Sequence, residues 1–244
     1  MNSSMYSALS GNLSAMKRMD MISNNLANVN TPGFKKDKMS FEGMLSSITT
    51  PPAVPPGTTA DPILQKENVY IDYSPGAVAQ TGNPFDLAID GNGFFVVTTP
   101  DGPAYTRQGN FRLAADGTLI TVDGLPVQGQ GGNIRINGGK IEIDAKGLIT
   151  VDGNEVGTLR LVDFPQPYDL EKTGRAQFVP RDPQAVPQLA SGTLHQGHLE
   201  GSNVETISEM VQMIETSRYF EACQRAIRAV DDITGKAANE LGRL

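Results

Sequence analysis

Both ends of this chain repeat apolar residues at a helical period, and that pattern limits the possible folds more than any other feature. In the first thirty residues Met5, Leu9, Met16, Met19 and Leu26 fit the a and d positions of a heptad, and Leu13, Ile22 and Val29 widen the stripe. Asn12, Ser14, Lys17, Arg18 and Asn24 take the opposite face. The helix should stop soon after: Asn28 and Asn30 tolerate left-handed geometry, Thr31 is turned away from helix by Pro32, and Gly33 frees the turn. At the other end Ile207, Met210, Val211 and Ile214 open a second series. Met213, Phe220, Ile227 and Leu241 follow at multiples of seven, with Cys223, Val230, Ala237 and Leu244 as a companion seam. Ser202 and Glu205 read as a capping box at its start. No proline follows Pro187, so the spacing predicts a helix of about 40 residues, roughly 60 Å long.

The middle has a different texture. Thr49 to Thr59 holds four prolines, which forbid helix and central strand alike, and residues 49–68 read as an extended linker. From 69 to 179 short β-branched and aromatic runs alternate with turn signals such as Asp116-Gly117, Asp123-Gly124 and Asp152-Gly153, the spacing of an all-β sandwich or distorted barrel. Asp86 to Val97 reads as strand, tight turn, strand. Residues 115–124 and 145–153 echo each other, which suggests two similar hairpin arms. Residues 180–201 read as a Pro-rich connector. The expected fold class is α+β: a helical segment over 1–48, the linker, the β domain, the connector, and a terminal helix over 202–244.

Composition excludes several functions. The formal net charge is −7, which argues against a large nucleic-acid surface. The one dense basic run, Lys35-Lys36-Asp37-Lys38, reads as a solvated turn. The single cysteine, Cys223, cannot form an intramolecular disulfide and sits in a helical pattern as a small hydrophobe. Only His195 and His198 are available as imidazole ligands, and HExxH, GxxxxGK[ST] and GxSxG are all absent. No enzyme activity, metal or cofactor is expected. No apolar run reaches the length of a membrane span, and no signal peptide is visible, so composition reads as cytoplasmic.

A stripe running the length of a long helix needs cover. The first helix could pair with the last in a coiled coil and still offer apolar surface to neighbours. Alternatively, the two could form an ordinary lid over the β domain. A third possibility, a β module that grips cell wall, has few aromatic platforms to use, because tryptophan is absent. Tyr105, Phe94 and Phe95 read as core.

Longer motifs narrow the choice. Ser23 to Lys35 contains Asn24, Asn25, Leu26, Asn28, Thr31, Gly33 and Phe34. This segment resembles the N-terminal signature of the flagellar basal-body rod and hook family. Gly197 to Val204, with Gly201, Ser202, Asn203 and Val204, is similar to the matching C-terminal signature. Asp90 to Phe95 and Tyr105 to Phe111 are similar to the family's central β domain. The resemblance spans nearly the whole chain and points to rod proteins with one β domain. The wording of Arg218 to Glu221 and of Gly235 to Asn239 favours the proximal-rod type over the distal-rod type.

The resemblance implies a structural subunit of the rod. Its expected partners are copies of itself, other rod and hook family subunits and, during secretion, the flagellar export apparatus. It also replaces the cytoplasmic reading with export without a cleaved signal and assembly in the periplasmic rod. Neither nucleic acid nor membrane insertion is expected. The heptad phasing then suggests a subunit interface. Met5, Leu9, Leu13, Met16, Met19, Ile22 and Leu26 would pack against Ile207, Val211, Ile214, Phe220, Ile227 and Val230, first within one subunit and then between subunits. Asn24, Asn25 and Asn28 are suited to capping the helix end, and Phe34 to anchoring the turn in a core.

Overall fold

The structure, a computed structural model, describes residues 2–40, 68–174 and 176–241. The expected linker therefore lies outside the described residues up to position 67. The chain forms two compact units. One gathers Met1–Ala27, Lys36–Asp72 and Glu205–Leu244, and the other gathers Asn28–Lys35 and Tyr73–Val204.

The first unit is built on two helices, α1 (Asn2–Ala27) and α2 (Thr206–Leu241). Asn25 meets Glu209, while Gly11 faces Tyr219 and Cys223, so the helices run in opposite directions. Among the described residues the buried positions are Ala15, Ile22 and Asn25 on α1, with Ala8, Gly11 and Arg18 among the half-buried ones, and Glu209 and Thr216 on α2, with Met213, Phe220, Cys223, Ile227 and Val230 among the half-buried ones. These positions share one face of each helix, at the spacing of a helix–helix seam. Gly11 costs helix propensity, roughly 1 kcal/mol against alanine. Its use is spatial: a Cβ there would stand 2.8 Å from the Tyr219 hydroxyl and 3.4 Å from the Cys223 sulfur. A short antiparallel strand pair, Asp37–Ser40 with Asn68–Ile71, also belongs to this unit, and Lys38 pairs with Asp72 at 2.7 Å. The Asp72 carboxylate, as hydrogen-bond acceptor, raises the Lys38 pKa.

The expected capping box does not form. Ser202 Oγ accepts the amide of Val204, two residues on, and α2 begins only at Thr206. A serine that closes a turn on itself is no longer placed to cap the helix.

The second unit is antiparallel β. Its largest sheet has six strands in the order Leu170–Lys172, Gln177–Pro180, Gly102–Thr106, Phe94–Thr99, Leu161–Asp163 and Gln188–Leu189. The strand Phe94–Thr99 is covered on both faces. Phe95 and Val97 enter a core with Leu87, Leu119, Val127, Ile149 and Leu159. Phe94, one position earlier and so on the other face, packs among Tyr73, Phe164, Tyr168 and Phe178 at centroid distances of 5.6 to 6.4 Å. Tyr105 joins that group against Phe164 at 4.8 Å.

One expectation is sharpened here and another changes. Residues 86–97 do form strand, tight turn and strand, but the two strands do not pair with each other. Leu87–Asp90 pairs with Thr193–Gln196, while Phe94–Thr99 pairs with Gly102–Thr106 and Leu161–Asp163. Gly91 and Gly93, at φ of 93° and 141°, turn the chain out of one ladder and into another. The segment 180–201 is not a plain connector either, because Gln188–Leu189, Thr193–Gln196 and His198–Glu200 are all strands. The internal echo has a structural counterpart. Ala114 donates to Thr118 O and Gly117 to Ala114 O, and thirty residues on Asp144 donates to Leu148 O and Gly147 to Asp144 O.

Candidate assembly surface and its anchoring cluster

The helix residues that sequence assigned to an interface divide into two groups. Ile22 is fully buried in the α1–α2 seam, where Phe220, Ile227 and Val230 are half-buried; Met19 and Leu26 are half-buried on α1. Leu9, Leu13 and Met16 are about half exposed, and so are Val211 and Ile214, while Ile207 is 81% exposed. Met5 lies in α1, but its side chain is outside the described residues. The expected packing of Leu9, Leu13 and Met16 against Ile207, Val211 and Ile214 within one chain is therefore not what the structure holds. Small residues explain the difference. Gly11, Ala15 and Thr216 let the helices approach on a narrow seam, which rotates the larger side chains outward. Met210 and Ile233 are exposed as well.

The seam carries one buried polar pair. Asn25 is 1% exposed; its Nδ2 donates to Asp37 O at 2.9 Å, and its Oδ1 accepts the Asp37 amide at 3.0 Å. The side chain thus behaves like a neighbouring strand and joins the end of α1 to the start of the strand Asp37–Ser40. Nδ2 also reaches Glu209 Oε2 at 3.4 Å, and Glu209 sits in the first turn of α2, where the helix dipole favours a carboxylate. Asn24 is exposed.

In the β unit the remaining signature residues form a second constellation. The loop Asn28–Lys35 closes on itself through Thr31, whose amide donates to Asn28 O at 3.1 Å and whose hydroxyl lies 3.2 Å from Asn28 Oδ1. It is then stitched to the C-terminal signature: Gly33 N donates to Glu200 O at 2.8 Å, and Asn203 N to Phe34 O at 3.3 Å. Phe34 is 1% exposed, with Lys172 Nζ 4.4 Å above its ring. Gly201 N donates to Ala77 O, and Asn203 Nδ2 to Ser74 O, which brings a third stretch of chain to the same place.

Glu200 is the centre of this constellation. Its Oε1 accepts Lys35 Nζ at 2.5 Å and the Gly76 amide at 3.0 Å, and its Oε2 accepts Arg107 Nη1 at 3.3 Å. Lys35 also donates to Ser74 O, and Arg107 to Ile89 O and Gly91 O. All three charged side chains are at least nine-tenths buried. Burial lowers the Arg107 pKa, and the neighbouring Glu200 carboxylate works against that shift.

The basic run around Lys35 is thus not a solvated turn at its first residue. Lys35, Arg107 and Glu200 had no assigned role in the sequence reading. The available signal was their position inside the three quoted motifs, with Lys35 directly after the buried Phe34. The two histidines lie 6.0 Å apart by ring centroid, with His195 Nε2 3.7 Å from Asp90. Among the described residues no group of three or more His, Cys, Asp or Glu could hold a metal, and no helix is long and apolar enough to cross a membrane.

Comparison with known proteins agrees with this geometry. Residues 5–35 match the family described as flagella basal body rod protein. Residues 88–151 match the D1 domain of flagellar hook protein FlgE/F/G, and 195–241 match the C-terminal region of flagellar basal body rod FlgEFG proteins. The chain is 31% identical to the flagellar basal-body rod protein FlgF of Mesorhizobium japonicum over 99% of both chains. It is 36% identical to the rod protein FlgG of Bacillus subtilis over 97% of this chain and 98% of that one. FlgF of Caulobacter vibrioides is 29% identical over the full length of both. With these matches running from end to end, and the two terminal signatures tied together in space, the chain belongs to the flagellar basal-body rod protein family.

Proposed function

We propose that this rod subunit assembles through α1 and α2, building with its own copies and with other rod and hook family subunits the hollow shaft that transmits torque. The observation that carries the reading is the placement of large apolar side chains. Leu9, Leu13, Met16, Ile207, Met210, Val211 and Ile214 are about half exposed or more, on helices whose seam already holds Ile22, Phe220, Ile227 and Val230. A chain that leaves this many large apolar side chains outside its own seam is suited to association rather than to isolation. The β unit has its own aromatic core and its own buried ion cluster, so it does not depend on those stripes. A coiled coil between α1 and α2, export without a cleaved signal and the absence of catalysis all belong to the same reading. A proximal-rod position rests on the wording of Arg218 to Glu221 and of Gly235 to Asn239, since FlgF and FlgG relatives alike match the chain from end to end.

Ile207→Asp combined with Ile214→Asp tests the proposal. In a strain lacking the native subunit, the variant is expected to be secreted, to fold in its β unit and to yield no complete basal bodies by electron microscopy. Normal basal bodies and swimming would overturn the reading.

A further inference from the structure

A cavity of about 260 Å³ opens in the β unit beside the buried ion cluster, and assembly through α1 and α2 makes no use of it. Its buried lining is Lys35, Arg107 and Phe94. Tyr73 and Tyr168 are half-buried in its wall, and Asn92 and Gln166 are exposed at its mouth.

Arg107 gives this space a chemistry. Its side chain is 8% exposed. Nη1 donates to Ile89 O and Glu200 Oε2, and Nη2 donates to Gly91 O. Nε is buried and meets no acceptor among the described residues. A buried N–H of a charged group is costly to leave without an acceptor. The charges point the same way. Arg107 shares its ion-pair carboxylate, Glu200, with Lys35. Asp163, the other carboxylate that acts on Arg107, accepts the Tyr168 hydroxyl at 2.8 Å and does not line the cavity. Burial lowers the Arg107 pKa more than Glu200, Tyr168 and Asp163 together raise it, so its neighbours compensate the guanidinium only in part.

We propose that this cavity binds a carboxylate, one oxygen accepting the Arg107 Nε–H, with the attached carbon chain between Tyr73 and Tyr168 and its polar end at Asn92 and Gln166. Two features favour a carboxylate over a phosphate. Both Nη atoms are already occupied, so Arg107 offers one N–H rather than the fork that grips a phosphate. A dianion would also be repelled by Glu200 on the same guanidinium, whereas a single negative charge makes up for the carboxylate that Arg107 shares. The Phe94, Tyr73 and Tyr168 rings give the carbon chain an apolar lining, the usual composition of a small-ligand site. Such a carboxylate is either a free small acid or an acidic side chain of another protein chain.

Titration of the purified subunit tests the proposal, with the Arg107 Nε–H followed by proton–nitrogen NMR. Sodium acetate is expected to move that resonance to saturation, with a dissociation constant on the order of millimolar. Sodium chloride at the same ionic strength, and uncharged acetamide, should leave it in place. The blocked peptide acetyl-Gly-Glu-Gly-amide separates the two sources. Binding about tenfold tighter than acetate assigns the site to an acidic side chain, and binding no tighter assigns it to a free acid. Asn92→Asp sets a competing carboxylate at the exposed mouth. It should weaken acetate about tenfold while leaving the near-UV circular dichroism and the melting temperature unchanged. No saturable shift with acetate or the peptide, an equal response to acetamide, or unaltered acetate affinity in a folded Asn92→Asp variant would overturn the proposal.

Discussion

Glu200→Ala is expected to lower the melting temperature of the β unit by on the order of 10 °C, the largest effect of any single side-chain truncation outside the apolar core. The substitution leaves Lys35 and Arg107 buried with no carboxylate between them, and stranding a buried charge costs about 3–5 kcal/mol. For a unit of this size each kcal/mol moves the midpoint by about 2–4 °C. It also removes the acceptor for the Gly76 amide, which fixes where the chain enters the β unit after Asp72. The control is a triple substitution, Lys35→Met with Arg107→Met and Glu200→Leu. It removes every charge at once and should melt within a few degrees of the unsubstituted protein, because the penalty lies in the unpaired cations rather than in lost attraction. Near-UV circular dichroism follows the transition through Tyr73, Tyr105 and Tyr168 in the aromatic cluster. A single Glu200→Ala variant that melts with the unsubstituted protein would remove the ion cluster from the account.

Gly33→Ala is expected to be nearly as damaging, by a purely steric route. Gly33 has a φ of 67°, in the left-handed region, and a Cβ there would run into the Arg107 carbonyl and stand 2.5 Å from the Gln108 amide nitrogen. Those neighbours are backbone, held by Arg107 and its ion pair, so they cannot step aside. The left-handed strain alone costs about 1–3 kcal/mol, and the clash adds to it. The variant should lose at least about 3 kcal/mol of β-unit stability, read from chemical denaturation with the same aromatic signal. By contrast Gly82→Ala, at a similar φ but with open space around it, should cost only the backbone strain. Equal losses at the two positions would mean that the close approach to Arg107 is unimportant.

The helices were readable in the sequence because a 3.6-residue period in apolar residues leaves few alternatives. Their rotation was not. Ala8, Gly11 and Ala15 carry little hydropathy signal, yet they line the seam beside Ile22, while the larger Leu9, Leu13 and Met16 stay about half exposed. A heptad counted from large side chains finds the face that needs a partner, and that face can belong to the next molecule. The β unit shows the same division between local and distant information. Turns at Asp116-Gly117 and Asp152-Gly153 are written in adjacent residues. The pairing of Leu87–Asp90 with Thr193–Gln196 is not, since it joins strands about a hundred residues apart and passes over the nearer partner at Phe94–Thr99. Glu200 was equally hidden. Its partners Lys35 and Arg107 are 165 and 93 residues away in sequence, and each alone resembles an ordinary surface charge.

The central claim is that α1 and α2 are the assembly elements and the β unit is not. Amide hydrogen exchange on the purified subunit, compared with the same chain in isolated basal bodies, tests it most directly. Protection in residues 2–27 and 206–241 should rise strongly on assembly, as the exposed stripes gain cover, while Phe94–Thr99 and Gly102–Thr106 exchange slowly in both states. If the helices exchange at the same rate before and after assembly, and the change falls instead within Tyr73–Val204, the rod is joined through the β unit and the account is wrong.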